Sequence, residues 1–299
     1  MTPMKSALSL PDRIIAAFDS LPEQLGQAAR YILDNPNDVA LLSMREQARR
    51  AGVKPWTMTR LARRLGYAGY EDIREESAAA LRRAALGFSG RAGAQAAREE
   101  GGGEDGLMTD IAQIVGNGVT RLAEPATMKE LAAAAALISG ARRVYCLGLR
   151  AGYPVAAQFA YLMSFLDDRA ILLGRGAGTD LDAMRHAGAE DVLFAISAAP
   201  YTGATIETAR YAARRGVPVL ALTDSPVSPL AAIASRSVIV STDSPSFVHT
   251  MTPALAAVEI LASLVVARGG AKALEAIAAT EEQLAQLNIH LYAPQRTQP

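Results

Sequence analysis

The chain has 299 residues, enough for two cores at the usual ~100 to 200 residues per domain. Its charge sums to zero, but residues 1–86 carry 13 Lys/Arg against 10 Asp/Glu and the rest carries 17 against 20, so any attraction to nucleic acid is local. The single cysteine, Cys146 in the apolar run VYCLGL, excludes an internal disulfide framework and is expected to be a buried spectator. No run nears the ~18 consecutive apolar residues of a membrane helix. The N-terminus, with only Lys5 before Pro11, has no secretory pattern. A cytoplasmic protein with no membrane partner is expected.

Residues 11–18 and 22–34 show helical spacing, the second with Leu25, Ala28, Ala29 and Ile32 on one side, and Asn35-Pro36 should stop it. The next stretch, SMREQARRAGVKPWTMTRLARRLG over 43–66, reads as a helix-turn-helix. Ser43 and Glu46 form a capping box for a helix to Ala51, Gly52 supplies the turn, and Pro55 suits the first position of a second helix. Met58, Leu61, Ala62 and Leu65 share one buried stripe, so Trp56, Thr59, Arg60 and Arg63 point away from it. Small Ala48 lets the two helices cross closely. Lys54 is a poor N-cap. Arg45, Arg49, Arg50, Lys54, Arg60, Arg63 and Arg64 face the single acid Glu46, a local charge of +6 suited to a phosphate backbone.

The expected DNA contacts are Arg45, Arg49, Lys54, Trp56, Thr57, Thr59, Arg60, Arg63 and Arg64, with Arg60 and Arg63 able to fork onto guanine or clamp a phosphate. Trp56, the only tryptophan, either anchors the second helix to its bundle or touches DNA at the groove edge. Gly66 then caps that helix, and a further helix is expected near 71–84. An all-α DNA-binding domain over 1–86 results. The Gly/Ala-rich stretch 87–106 reads as a flexible linker, followed over 107–299 by a second domain, to which the family resemblance described below assigns effector binding and dimerisation. This begins with a helix bearing Met108, Ile111, Ile114 and Val115, then another over 128–138.

From Arg142 short apolar runs alternate with helix-like stretches: RVYCL, AILLG, DVLFAIS, VPVLALT and SVIVS. This pattern predicts a five-stranded parallel sheet in an α/β three-layer domain, with closing helices over 250–267 and 272–287. Such sheets bind ligands beyond the carboxyl ends of their strands, where strand order reverses. Four turns fall there: GLRAG (148–152), SAAPYTG (197–203), TDSPVS (223–228) and STDSPS (241–246). The candidate ligand contacts are Gly148, Arg150, Gly152, Ser197, Thr202, Thr223 and Ser241, with backbone N–H groups before helix N-termini as a phosphate cradle.

The first-half run ARYILDNPNDVALLSMREQARRAGVKPWTMTRLARRLGYAGYEDIR and the second-half runs RRVYCLGLRAG and DVLFAISAAPYTGATIETARYAARRGVPVLALTDSPVSPLAAIAS resemble the RpiR-type (MurR/RpiR) bacterial regulators. In that family a helix-turn-helix precedes a sugar-isomerase (SIS) domain of flavodoxin-like type. The resemblance implies a homodimer or homotetramer that binds a double-stranded DNA operator and senses a sugar phosphate or related anionic metabolite, with no cofactor, metal or catalytic residue. Two turns depart from the family pattern. Where it reads Gly-x-Gly-x-Ser, this chain has Gly148, Arg150 and Gly152; where it reads Ser-x-Ser-Gly-x-Thr, Ser197 and Thr202 remain but Ala199 and Pro200 replace the middle pair. Arg150 then either pairs with an anionic ligand or fills the pocket, leaving a domain that only dimerises. The catalytic alternative, an aldose-ketose isomerase, needs a general base, for which Glu207, His186 and His249 are the candidates. Each fits a surface or cap role better.

Overall fold

The computed structural model describes residues 10–85, 87–174 and 179–289. The chain divides into two compact units between Asp110 and Ile111, with Pro245–Val248 grouped with the first.

The first unit is helical: α1 (Leu10–Ala17), α2 (Glu23–Asp34), α3 (Pro36–Leu41), α4 (Met44–Arg50), α5 (Pro55–Arg64) and α6 (Tyr70–Ala85). Asn35-Pro36 does end α2, but Pro36 also opens the six-residue α3, because proline's fixed φ suits a first helical position as well as a stop. The core is built from Ile14, Leu25, Ile32, Val39, Met58, Leu61 and Ile73, with Ala28, Ala29, Ala48 and Ala62 where helices approach. Ser43 caps α4 by accepting from the Glu46 N–H at 3.3 Å. Both α4 and α5 end in the same way. Gly52 (φ 68) and Gly66 (φ 87) take the left-handed conformation, and the residue after each donates back across the last turn, Val53 N–H to the Ala48 carbonyl and Tyr67 N–H to that of Ala62. Buried Gln47 braces the turn before α4, donating to the Val39 and Leu42 carbonyls while its own carbonyl accepts from the Tyr70 hydroxyl.

The stretch expected to be a flexible linker is instead helical: α7 runs Phe88–Thr120 and is interrupted at Gly103, whose φ is 67. Alanines at 92, 94, 96 and 97 favour the helix that the glycines disfavour, and the break falls within the glycine run. Beyond it, Ile111, Ile114 and Val115 are half-buried and Met108 is exposed.

In the second unit α8 (Pro125–Gly140), β1 (Val144–Gly148), α9 (Tyr153–Met163), β2 (Ala170–Leu172), β3 (Val192–Ile196), α10 (Gly203–Arg214), β4 (Val219–Thr223), β5 (Arg236–Ile239) and α11 (Thr252–Gln286) follow in order. All five expected strands form one parallel sheet of order β2-β1-β3-β4-β5. Alternation along each strand divides its side chains between two layers. Val144, Cys146 and Phe194 join Phe159, Ile138 and Leu261 on one face. Tyr145, Leu147, Leu193 and Ala221 join Ile206, Ala209 and Leu230 on the other. Phe159 meets Phe194 edge-on at 4.8 Å. Cys146 is fully buried, and burial pushes its thiol up to about 12, in keeping with a spectator.

At the N-terminal edge of the sheet, Arg142 donates two hydrogen bonds (2.8 and 3.0 Å) to Asp191, whose side chain is fully buried, tying the start of β1 to that of β3. The Arg142 guanidinium, with the Gly188 N–H, holds the Asp191 carboxyl below the usual carboxylate range against the opposing effect of burial. α11, 35 residues long, contains an 18-residue window of mean hydropathy 1.6 and so is long and apolar enough to cross a membrane by length and composition alone. It is interrupted at Gly270 (φ 54), and Ala254, Ala257, Val258, Leu261 and Val265 on it are buried in the sheet core.

Candidate functional site

Two regions gather the residues singled out from the sequence. The first is the surface of α4 and α5. As expected, Met58, Leu61, Ala62 and Leu65 are buried, while Lys54, Trp56, Arg60, Arg63 and Arg64 are exposed, as is Arg45 on α4. None of Arg45, Lys54, Arg60, Arg63 and Arg64 makes an ion pair with a described residue. Arg49 and Arg50 differ. Their guanidiniums bind Glu46, Arg50 also reaches Asp38 at 2.8 Å, and those hydrogen bonds hold the Glu46 carboxyl down at about 2. Glu46 thus binds these arginines, and five cations are left uncompensated.

Trp56 is 49% exposed and carries the Arg60 guanidinium over its ring, 5.1 Å from the centroid. The two side chains border a shallow groove of about 270 Å³ beside Pro22, Glu23 and Gln24 at the start of α2. One expectation changes. Thr57 is 1% exposed and turned into the bundle, so it is no surface contact. It stands four residues before Leu61 and eight before Leu65 and therefore shares their stripe. Thr59 is half-buried, its hydroxyl 3.6 Å from the Met44 sulfur across the α4–α5 crossing.

The second region is the carboxyl edge of the sheet. Strand order reverses between β1 and β3, so the crevice lies between the Gly148–Gly152 and Ser197–Thr202 turns. Gly148 and Gly152 are packing glycines. A Cβ on Gly148 would lie 2.1 Å from the Gly152 carbonyl oxygen, and one on Gly152 would lie 3.0 Å from that of Ile196. Arg150 adopts φ 54, a left-handed conformation uncommon outside Gly, Asn and Asp. It is exposed and has no hydrogen bond or ion pair with a described residue, so its side chain does not fill a pocket.

Two N–H groups of the β3 turn are taken by its own chain. Buried Ser197 accepts from the Thr202 N–H at 3.3 Å, and the Ala199 N–H donates to the Asp224 carboxylate at 3.2 Å. Asp224 also accepts from buried Thr223 at 3.2 Å, while Thr223 bonds Ser228 at 3.0 Å. Burial first, and Asp224 second, push the Tyr201 hydroxyl up to about 12. Ser241 is half-buried and bonded to Asp243 within its own turn. Asp224 and Tyr201 are the residues that sequence reasoning missed. Nothing in the spacing marks a carboxylate 25 residues from the amide it satisfies.

Of the possible bases, Glu207 is exposed and ion-paired with Arg210. His186 ends a short 3-10 helix, and its carbonyl accepts from Arg142. His249 lies three residues before α11. Among the described residues no group of three or more His, Cys, Asp or Glu could hold a metal.

The SIS domain family model matches residues 137–264, and the second unit has the SIS fold. No curated protein matches the chain at comparable significance. Among solved structures, NanR of Vibrio vulnificus, complexed with ManNAc-6P, aligns over 93% of this chain and 99% of its own at 22% identity, TM-score 0.52. The sugar isomerase domain of an RpiR transcription factor from Sphaerobacter thermophilus aligns over 59% of this chain and 96% of its own at 24% identity, TM-score 0.53. At those identities the likeness is one of fold.

Proposed function

We propose that this protein is a cytoplasmic transcriptional regulator that binds a DNA operator through a helix-turn-helix formed by α4 and α5 and responds to a phosphorylated sugar or related anionic metabolite at the carboxyl edge of its SIS domain. The observation that carries the proposal is the row of uncompensated cations on the exposed side of α5, Arg60, Arg63 and Arg64, with Lys54 at its start. A recognition helix needs that pattern: an apolar stripe holding it to its bundle, and guanidiniums free for base edges and phosphates. Arg45 from α4 adds a positioning charge. A homodimer or homotetramer presents two such helices to half-sites about one helical turn apart, or a multiple of that.

The metabolite acts by preferring one arrangement of the paired helices, since equal affinity for two arrangements shifts nothing. The isomerase alternative draws little support, because its best base, Glu207, is solvated and paired with Arg210. A fluorescence anisotropy titration of the full chain against its own upstream DNA tests the proposal. Sub-micromolar binding that weakens steeply with salt supports it, and no binding at 50 mM salt overturns it.

A further inference from the structure

An anion cradle works by offering donors that the protein has not already used, and the two turns facing this crevice differ in that respect. On the β3 turn the Ala199 N–H and the Thr202 N–H are committed within the chain, Pro200 has no N–H to give, and the group that Ala199 serves is itself a carboxylate, Asp224. A phosphate dianion placed on the Ala199 N–H must displace that carboxylate or lie against it. On the β1 turn the Arg150 guanidinium is exposed and without a partner among the described residues, on a backbone held at a left-handed φ of 54 that an arginine adopts only at a cost. The crevice therefore has a cationic side and an anionic side. Gly148 registers with Ile196, and Ile196 with Leu222, so the two turns that carry Arg150 and Asp224 rise from strands two spacings apart, about 10 Å.

We propose that the effector is a sugar acid, a polyhydroxylated monocarboxylate, held by its carboxylate on Arg150 and by its distal hydroxyls on Asp224, and that sugar phosphates are discriminated against. The proposal narrows the effector class within the regulator reading above, on which it rests. A planar carboxylate matches the fork of one guanidinium, whereas a phosphate dianion brings a second charge that one arginine does not balance beside Asp224. The free acceptor capacity of the Asp224 carboxylate suits hydroxyl donors, which a sugar supplies at every carbon.

Isothermal titration calorimetry on the full chain decides it, with D-gluconate, D-glucuronate and D-galacturonate as carboxylate probes and glucose 6-phosphate as the phosphate probe. At least one carboxylate should bind tenfold or more tighter than glucose 6-phosphate. In Asp224→Asn, which preserves shape and removes the charge, that preference should fall to parity or invert. Arg150→Lys, which keeps the charge without the fork, should weaken the carboxylate tenfold while leaving the melting temperature unchanged. Tighter binding of glucose 6-phosphate by the wild type, an unchanged preference in Asp224→Asn, or no carboxylate binding at all overturns the inference. DNA binding by a chain that takes up no carboxylate would sink this inference and leave the regulator reading standing; carboxylate uptake by a chain that binds no DNA would do the reverse.

Discussion

The exposed side of α5 and the β3 turn of the sheet treat their polar groups in opposite ways. On α5 the cations are left over: Glu46 and Asp38 take Arg49 and Arg50, and nothing described takes Lys54, Arg60, Arg63 or Arg64. At the β3 turn donors are taken by neighbours, with Asp224 on the Ala199 amide and Ser197 on that of Thr202. A duplex presents a regular lattice of charge, so a surface built for it shows as unpaired cations at regular spacing. A small-molecule crevice depends on which few donors remain unused, and only the folded chain reveals that.

The widest test of this contrast removes charge from α5. In Arg60→Ala/Arg63→Ala, each lost contact is expected to cost ~1–3 kcal/mol, so affinity for the upstream DNA should fall on the order of a hundredfold or more, with a shallower salt dependence. Unchanged affinity would mean that these side chains are only a solvated face. The next largest effect belongs to the β1 turn. Gly148→Ala forces a Cβ to within 2.1 Å of the Gly152 carbonyl, so calorimetric unfolding should show a loss at the upper end of the ~1–3 kcal/mol typical of overpacking. A neutral result would contradict the close packing of that turn.

Asp191→Ala sharpens the contrast from the far edge of the sheet, where the charge serves structure alone. Loss of its charge-assisted bonds to Arg142 should cost about 2 kcal/mol and leave DNA affinity untouched. Because the native carboxyl is held below its ordinary value, its contribution is full above the unfolded Asp value of roughly 3.9 and is lost as pH falls through the lowered native value. The variant should therefore show a weaker fall in stability on acidification, read from urea midpoints between pH 5 and 2. The smallest effect is Ser43→Ala, which removes the cap of α4 and should lower stability by about 1 kcal/mol.

Much of the fold was legible in the sequence, for identifiable physical reasons. Five apolar runs could only be buried strands, and the Met58-Leu61-Ala62-Leu65 stripe with Gly52 and Gly66 fixed the two-helix unit. The helix over 88–120 was not legible, since its glycines spoke for a linker as strongly as its alanines spoke for a helix. The inward turn of Thr57 was legible in principle from its phase relative to Leu61, but its polar side chain and its place beside Trp56 suggested a surface role. The commitment of the Ala199 amide to Asp224 could not be read in advance, because it arises only when β3 and β4 lie side by side.

If α5 is a recognition helix, its cations lack partners among the described residues because a duplex supplies them. Fluorescence anisotropy of the full chain on its own upstream DNA, titrated at 50, 100 and 200 mM salt beside Arg60→Ala/Arg63→Ala, tests it most directly. Tight wild-type binding that weakens steeply with salt is expected, with a variant both weaker and less salt-sensitive. Wild type and variant binding alike, or neither binding at all, would contradict it.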